Sequence, residues 1–559
     1  LGEDLDGPAG RLAGKLSAGT LLVLLSVLVS LGVPAALAVG RLTARLGVRW
    51  LGCLGGAVAI VGNAFVLENG YPGAHLLLAL AGTTLFAGAL SGSVIPLPRR
   101  RPILGWLSHL AACALALFSV FRWPPANVLA NMYELDTSVI LPWIARVRPP
   151  EPAGKVTVPR ALLPFYKTRD RRPDVPPSSP ALLPENGIVI LITIDALRSD
   201  VLERPEQRAY CPTLRALADR SVYFDNARSF SAGTRYSLGS MFTGRYASQL
   251  PWSRGSRPTL LRYRSPRFNE LLSKSGVHTV LLAGHTVLGR PAGIARGFDE
   301  VEMFAEPDDN PHPPAAKLID PAIRHLRQAR GPLFLYTHLV DTHLPYDTGG
   351  VRANSRVEAY LLAVRSVDRQ LNRLLAAIDE LGLRERTTLI VTADHGEGFG
   401  EHGETAHDKS LHDTQIRVPL IISAPNAPPR RVAQPVSLID IAPTVLDLFN
   451  RATPGEFMGD SLIPFVRGGR VDARRPLYFE RSRTIAMLFP DGMKAIYDSG
   501  KRRESLFDVK KDPAELHDLR DARGEEADRR IALLRRYRRV HATEPKKGAS
   551  GNVPAVTEQ

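Results

Sequence analysis

Cysteine is scarce in this chain: 559 residues contain three, Cys53, Cys113 and Cys211. Two of them lie in long apolar runs, so the rest of the chain holds one cysteine and has no internal disulfide to staple it. Nucleic-acid signatures are missing as well. Lys and Arg outnumber Asp and Glu 71 to 56, for a net charge of +15 and a pI near 9.9, but no zinc-finger spacing or aromatic-basic RNA motif accompanies the excess. Part of that excess sits in "RRIALLRRYRR" and in short loops between apolar runs. A basic surface beside anionic lipid headgroups is the simpler expectation, and a nucleic-acid partner is set aside.

Charge is nearly absent from four stretches: Leu16 to Gly40, Trp50 to Leu67, Ala74 to Leu97 and Ile103 to Phe121. Each has about the 17–25 residues that a helix needs to cross a bilayer, and four in succession predict a transmembrane helical region. Arginines fall in the loops after the first and third runs (Arg41, Arg45, Arg49; Arg99, Arg100, Arg101), and "ENGYPG" between them carries none. Basic loops stay on the cytoplasmic side, which predicts an inner-membrane, multi-pass protein whose part beyond Arg122 is extracytoplasmic. The chain opens on Leu1 without Met; an upstream helix, a cleaved start and an external N-terminus all remain open.

Beyond Arg122 the composition changes twice. The stretch to Asn186 is Pro-rich, with "RPPEPAG" and "PDVPPSSPALLPENG", and reads as an extended juxtamembrane linker. From Gly187 apolar runs of strand length, "GIVILITID", "HTVLLAG", "PLFLYTHL", "TTLIVTAD" and "VPLIISA", alternate with helical patterns. In the clearest of these, Tyr360, Val364, Val367, Leu371, Leu374, Ile378 and Leu381 make one apolar face. Strands alternating with helices predict an α/β domain, a mostly parallel sheet with helices on both faces. After Asn450 shorter pieces, "PLYFE", "GMKAIYD" and "ESLFDVKKDP", suggest a small C-terminal antiparallel subdomain. The expected division is thus 1–123 transmembrane, 124–186 linker, 187–450 catalytic domain, 451–541 C-terminal subdomain and 542–559 disordered tail.

In open α/β sheets, functional residues collect beyond the carboxyl ends of strands. Asp195, the segment His338 to His343, and Asp394 with His395 all occupy such ends. Two carboxylates and an imidazole gathered there suit one divalent metal ion, with Mn, Mg, Zn and Ca all open. Such an ion stabilises an alkoxide and polarises an ester oxygen. Taken singly, each Asp is as well explained as a helix cap.

The order of the pieces carries more. "ITIDALRSD", "CPTLRALADRSVYFDNA", "SAGTRYSLGSMFTGRY", "HLVDTHLPY", "VTADHGEGFGEHG", "IRVPLIISAP", "VSLIDIAPTVLDL" and "SLFDVKKDPAELHDL" follow one another. This succession resembles the blocks of the sulfatase family within the alkaline-phosphatase superfamily, from about Ile188 to Leu519. The resemblance implies metal ligands at Asp195, Asp394, His395 and Thr234. It also implies a nucleophile at Thr234 and active-site histidines at His343 and His407 that contact the transferred group or assist the leaving oxygen.

Departures from the family pattern sharpen the expectation. Sulfatases carry Asp-Asp at the first block, and here Ala196 follows Asp195. Their CxPSR nucleophile motif is replaced by Thr234, Arg235, Tyr236, Ser237 and Leu238, without its Pro or its final Arg. Oxidation to formylglycine requires a primary side-chain carbon, which threonine lacks, so no formylglycine is expected. Cys211, in "CPTLR", is a decoy whose Pro falls one position early.

A threonine hydroxyl beside a divalent metal is still a competent nucleophile for phosphorus. In design the chain resembles Thr-using membrane members of the superfamily, the lipoteichoic acid synthases and phosphoethanolamine transferases. The expected function is a membrane-bound, metal-dependent hydrolase or transferase acting on phosphoesters, with a lipid or glycan ester as substrate. Two alternatives stand beside it: a sulfuric ester hydrolase, and a catalytically silent envelope relative that binds lipid.

Overall fold

The structure is a computed structural model. It describes residues 157–541 except 168, 170–171, 251, 253–265, 290–292, 295, 306–311 and 470–474, all within the compact unit Lys155–Gln559.

The apolar runs form strands because both of their faces are covered. The main sheet contains β1 (Ile188–Ile194), β2 (Val222–Arg228), β3 (His278–Ala283), β4 (Glu300–Met303), β5 (Leu333–Leu339), β6 (Thr387–Ala393), β7 (Arg417–Ser423), β8 (Arg430–Val432) and β9 (Val436–Ser437). Its order is β4-β3-β5-β1-β6-β7-β2-β8, with β9 also on β2. Every residue of β1, β5 and β6 is buried, as expected of strands packed on both sides. All pairings are parallel except those of β7 with β6 and β2.

Helices α1 (Pro212–Asp219), α2 (Thr234–Thr243), α3 (Phe268–Lys274), α4 (Ala316–Gln328), α5 (Arg356–Glu380), α6 (Ile441–Leu448) and α7 (Gly524–His541) accompany the strands. The periodic face of α5 is the buried one: Tyr360, Val364, Val367, Leu371, Leu374 and Ile378 face the core, and Leu381 is only half-buried. Asp368 on the same helix accepts the Thr213 and Leu214 N–H groups (3.0 and 2.8 Å), which would otherwise lack partners at the start of α1.

The antiparallel subdomain expected after Asn450 is a four-stranded meander, β10 (Leu477–Arg481), β11 (Thr484–Leu488), β12 (Met493–Asp498) and β13 (Arg503–Asp508). A buried charge cluster ties it to the main sheet. Lys494 Nζ on β12 lies 2.7 Å from both Asp413 Oδ1 and Glu515 Oε1, and Asp413 also pairs with Arg228 at the end of β2 (2.5 Å). Burial alone would raise the Asp413 carboxyl, but the Arg228 and Lys494 charges override it and hold it well below the usual range. Residues of the Pro-rich stretch pack on this unit: the Tyr166 hydroxyl donates to the Leu533 carbonyl (3.1 Å), and Ser178 bonds to Asp447.

Two expectations are corrected. Among the described residues no helix is long and apolar enough to cross a membrane, against the predicted transmembrane helical region and the predicted multi-pass inner-membrane location. The two longest described helices show the physical reason. Charged residues recur along α5, and α7 carries Arg529, Arg530, Arg535, Arg536, Arg538 and Arg539; such side chains oppose burial in hydrocarbon. The four runs from Leu16 to Phe121 lie outside the described residues. The fold class is therefore a mixed α/β domain with a mostly parallel sheet and a C-terminal antiparallel sheet.

Candidate active site

The register of the central strands brings the candidate residues together. Ile194 of β1 stands opposite both Leu339 of β5 and Ala393 of β6, so the three strands end in line and their next residues share one edge. The Asp195 N–H donates to the Leu339 carbonyl (2.8 Å), and the Thr342 hydroxyl donates to the Asp195 carbonyl (2.5 Å). Asp195, Asp394 and His395 are fully buried there.

Their donor atoms converge. His395 Nε2 is 3.6 Å from Asp195 Oδ1 and 3.4 Å from Asp394 Oδ2, and the ligand atoms of the trio all lie within 4.8 Å of one another. Asp195 Oδ1 and Asp394 Oδ2 accept no hydrogen bond although both are buried. Orphaned carboxylate oxygens are costly unless a cation partners them. His395 Nδ1 is 2.9 Å from the Gly396 carbonyl; as the donor it leaves the Nε2 lone pair facing the carboxylates, the usual outer-shell arrangement of a ligating histidine. The donor set fits a divalent cation.

Thr234 opens α2, with Gly233 extended in the N-cap position. Its Oγ1 is 3.1 Å from His395 Nε2, at a helix N-terminus that favours developing negative charge. Two further histidines follow: the His407 ring is 4.4 Å from that of His395 and 5.0 Å from that of His343. Burial would lower His407, but Glu397 and the Asp195 charge outweigh it and raise its pKa. All six residues predicted from the sequence thus gather around one edge of the sheet. Gly396 is required by space, since a Cβ there would fall 2.3 Å from the Thr414 carbonyl oxygen.

Other participants were given no role of their own by the sequence. His338 Nε2 lies 3.2 Å from Asp195 Oδ2, and its Nδ1 lies 2.6 Å from Thr193 Oγ1. Burial raises the Asp195 carboxyl, yet the bond with His338 and the neighbouring His395 pull it well below the usual range. Glu397, fully buried, approaches His407 Nδ1 at 3.6 Å and accepts the Tyr346 hydroxyl at 3.1 Å. His285 and His312 complete a group of rings around His343, at 6.0 and 4.6 Å. Burial lowers His285 to about 4, so it is neutral. The strand-end rule had marked His338 within the segment His338 to His343, and Glu397 stood inside a quoted motif; nothing in the sequence singled out His285 or His312.

Residues 188–451 match the family model described as Sulfatase, and residues 400–536 match one described as N-sulphoglucosamine sulphohydrolase, C-terminal. Over residues 188–451 the chain is thus similar to the sulfatase family. Mouse (Mus musculus) steryl-sulfatase is 29% identical over 284 residues, 46% of this chain and 42% of that protein. The chain therefore spans less than half the length of that curated relative. A phosphonate monoester hydrolase of Agrobacterium radiobacter superposes with a TM-score of 0.54 at 19% identity, covering 64% of this chain and 96% of that one. A 2-O GAG sulfatase does so at 0.54 and 21%, covering 64% and 92%. At these identities the two structures establish a shared fold.

Proposed function

We propose that this chain is a metal-dependent ester hydrolase of the sulfatase family, acting at the edge formed by Asp195, Thr234, Asp394 and His395. The observation that carries the reading is the approach of Thr234 Oγ1 to His395 Nε2 (3.1 Å) beside two buried, unpartnered carboxylate oxygens. Asp195, Asp394, His395 and the Thr234 hydroxyl would hold one divalent ion, which when bound supplies Lewis-acid stabilisation of negative charge.

The residues themselves divide the remaining tasks. Thr234 supplies the attacking oxygen from the first position of α2, where the helix dipole favours its alkoxide. His338 fixes the Asp195 carboxylate from behind. His407 and His343 flank the same edge, where an imidazole can hold the transferred group or hand a proton to the departing oxygen.

The curated relatives are named as sulfatases, which puts sulfate ester hydrolysis first among substrates. Thr234 itself favours a second reading, a phosphorus ester. Its secondary side-chain carbon would oxidise to a ketone and not to the formylglycine aldehyde, whereas a threonine alkoxide attacks phosphorus directly, expelling the protonated ester alcohol. Water then cleaves the phospho-threonine to release phosphate and restore the hydroxyl. Assay of sulfate monoesters, phosphate monoesters and phosphodiesters with added Mn, Mg, Zn or Ca separates them. Turnover of sulfate esters alone would retire the phosphorus reading. No turnover of any of these esters, together with no metal uptake, would retire the hydrolase.

A further inference from the structure

The hairpin between β10 and β11 reaches across to the active-site edge. Ser482 at its tip adopts a left-handed conformation (φ 44°), which tightens the turn between Arg481 and Arg483. Arg481 Nε donates to Asp408 Oδ1 at 2.7 Å. Asp408 is itself left-handed (φ 57°), follows His407 directly, and donates its N–H to the Ala232 carbonyl at 2.8 Å. Its carboxylate also packs on Gly233, where an added Cβ would sit 3.1 Å from Asp408 Cγ. Asp408, which holds Arg481, therefore stands directly against the residue that precedes Thr234.

One edge of this guanidinium is committed, and its terminal nitrogens make no hydrogen bond among the described residues. The side chains of Arg481 and Asp408 are 22% and 54% exposed, so the pair lies at the surface of the site and not beneath it. An arginine held by one Nε–carboxylate bond keeps its planar fork oriented with little remaining entropy to lose, and such a fork matches carboxylate, sulfate or phosphate oxygens bidentately.

Resting on the hydrolase reading above, we infer that Arg481 forms an anion subsite beside Thr234 that selects esters whose leaving group carries a second negative charge. The C-terminal sheet is then part of the specificity apparatus. Asp408 orients the fork and partly offsets its charge, so the selectivity expected is about tenfold and not a thousandfold.

The test compares two esters that differ by one charge, the 4-nitrophenyl and 3-carboxy-4-nitrophenyl esters of whichever acid the enzyme turns over. The wild-type protein should favour the carboxylated ester at least tenfold in kcat/KM, mainly through KM. Arg481→Ala should collapse that ratio to about twofold, and Arg481→Lys should restore it in part. If Arg481→Ala lowers both esters by one factor and leaves the ratio intact, Arg481 acts only through Asp408 and the subsite is wrong. A binding measurement decides the matter without turnover. By calorimetry 3-carboxy-4-nitrophenol should bind the wild-type chain at least tenfold more tightly than 4-nitrophenol, and Arg481→Ala should erase the difference. Equal binding of the two phenols to wild type overturns the subsite; failure to hydrolyse either ester counts against the hydrolase reading.

Discussion

Thr234 Oγ1 lies 3.1 Å from His395 Nε2, although 161 positions separate the two residues. One begins a helix and the other follows the end of β6, so their contact is a product of sheet order. It places a hydroxyl next to the only group of described residues that combines two fully buried carboxylates with an imidazole.

Replacing that hydroxyl tests the nucleophile. Thr234→Ala should lower kcat by about a thousandfold or more, while Thr234→Ser, which keeps the oxygen, should stay within about tenfold of wild type. Thr234 sits at a half-buried N1 position, so thermal unfolding of the Ala variant should move by no more than a few degrees. Steady-state kinetics and circular dichroism melts check both. Unchanged kcat in Thr234→Ala would move the nucleophile elsewhere.

Metal addition should stabilise the protein by mass action. At a hundredfold excess over Kd the gain is about 2.7 kcal/mol, read as a rise in Tm that EDTA reverses. Asp195→Asn removes the charge that partners the cation and should abolish both the rise and the bound metal measured by elemental analysis. An identical Tm shift in Asp195→Asn would place the ion at some other site.

Lys494→Met should be severely destabilising. It strands Asp413 and Glu515 in the interior without their shared cation, a loss of about 3–5 kcal/mol for a broken buried pair. The pH dependence follows from Asp413. Its folded pKa is depressed by Arg228 and Lys494 against the pull of burial, so its contribution is fully present above the ordinary carboxylate pKa of about 4 and is lost as pH falls through the folded value. Urea melts between pH 7 and pH 3 should show wild-type stability falling toward acid, with a shallower fall in Lys494→Met. A steeper fall in the variant would refute the assignment.

Cys211 should be inert in the folded chain. Burial, helped by the Asp368 charge, pushes its thiol up to about 12, and reactivity follows the thiolate fraction. A thiol-specific chromogenic reagent at pH 8 should therefore label the described unit slowly until urea unfolds it. Rapid native labelling at Cys211, located by peptide mapping, would contradict its placement.

Much of this site could be read from the chain alone, and for an identifiable reason. Residues at the carboxyl ends of parallel strands are brought to one edge by the sheet itself, so Asp195, Asp394 and His395 were legible as soon as "GIVILITID" and "TTLIVTAD" were read as buried strands. The same local logic gave the apolar face of α5, because a 3.6-residue period is written into the order of side chains. Four apolar runs set the expected architecture; those runs lie outside the described residues, and among the described residues no helix is long and apolar enough to span a bilayer.

What the sequence determined by itself was therefore local: strand and helix faces, and an order of motif blocks that resembles the sulfatase family. Tertiary structure decided everything that depends on distant segments meeting. It joined His338 to Asp195, Glu397 to His407 and Lys494 to Asp413, and it carried Arg481 of the C-terminal sheet to Asp408 beside Thr234. Such pairs leave no period or spacing in the chain, because a hydrogen bond across a sheet edge depends on distance in space and not on separation in sequence.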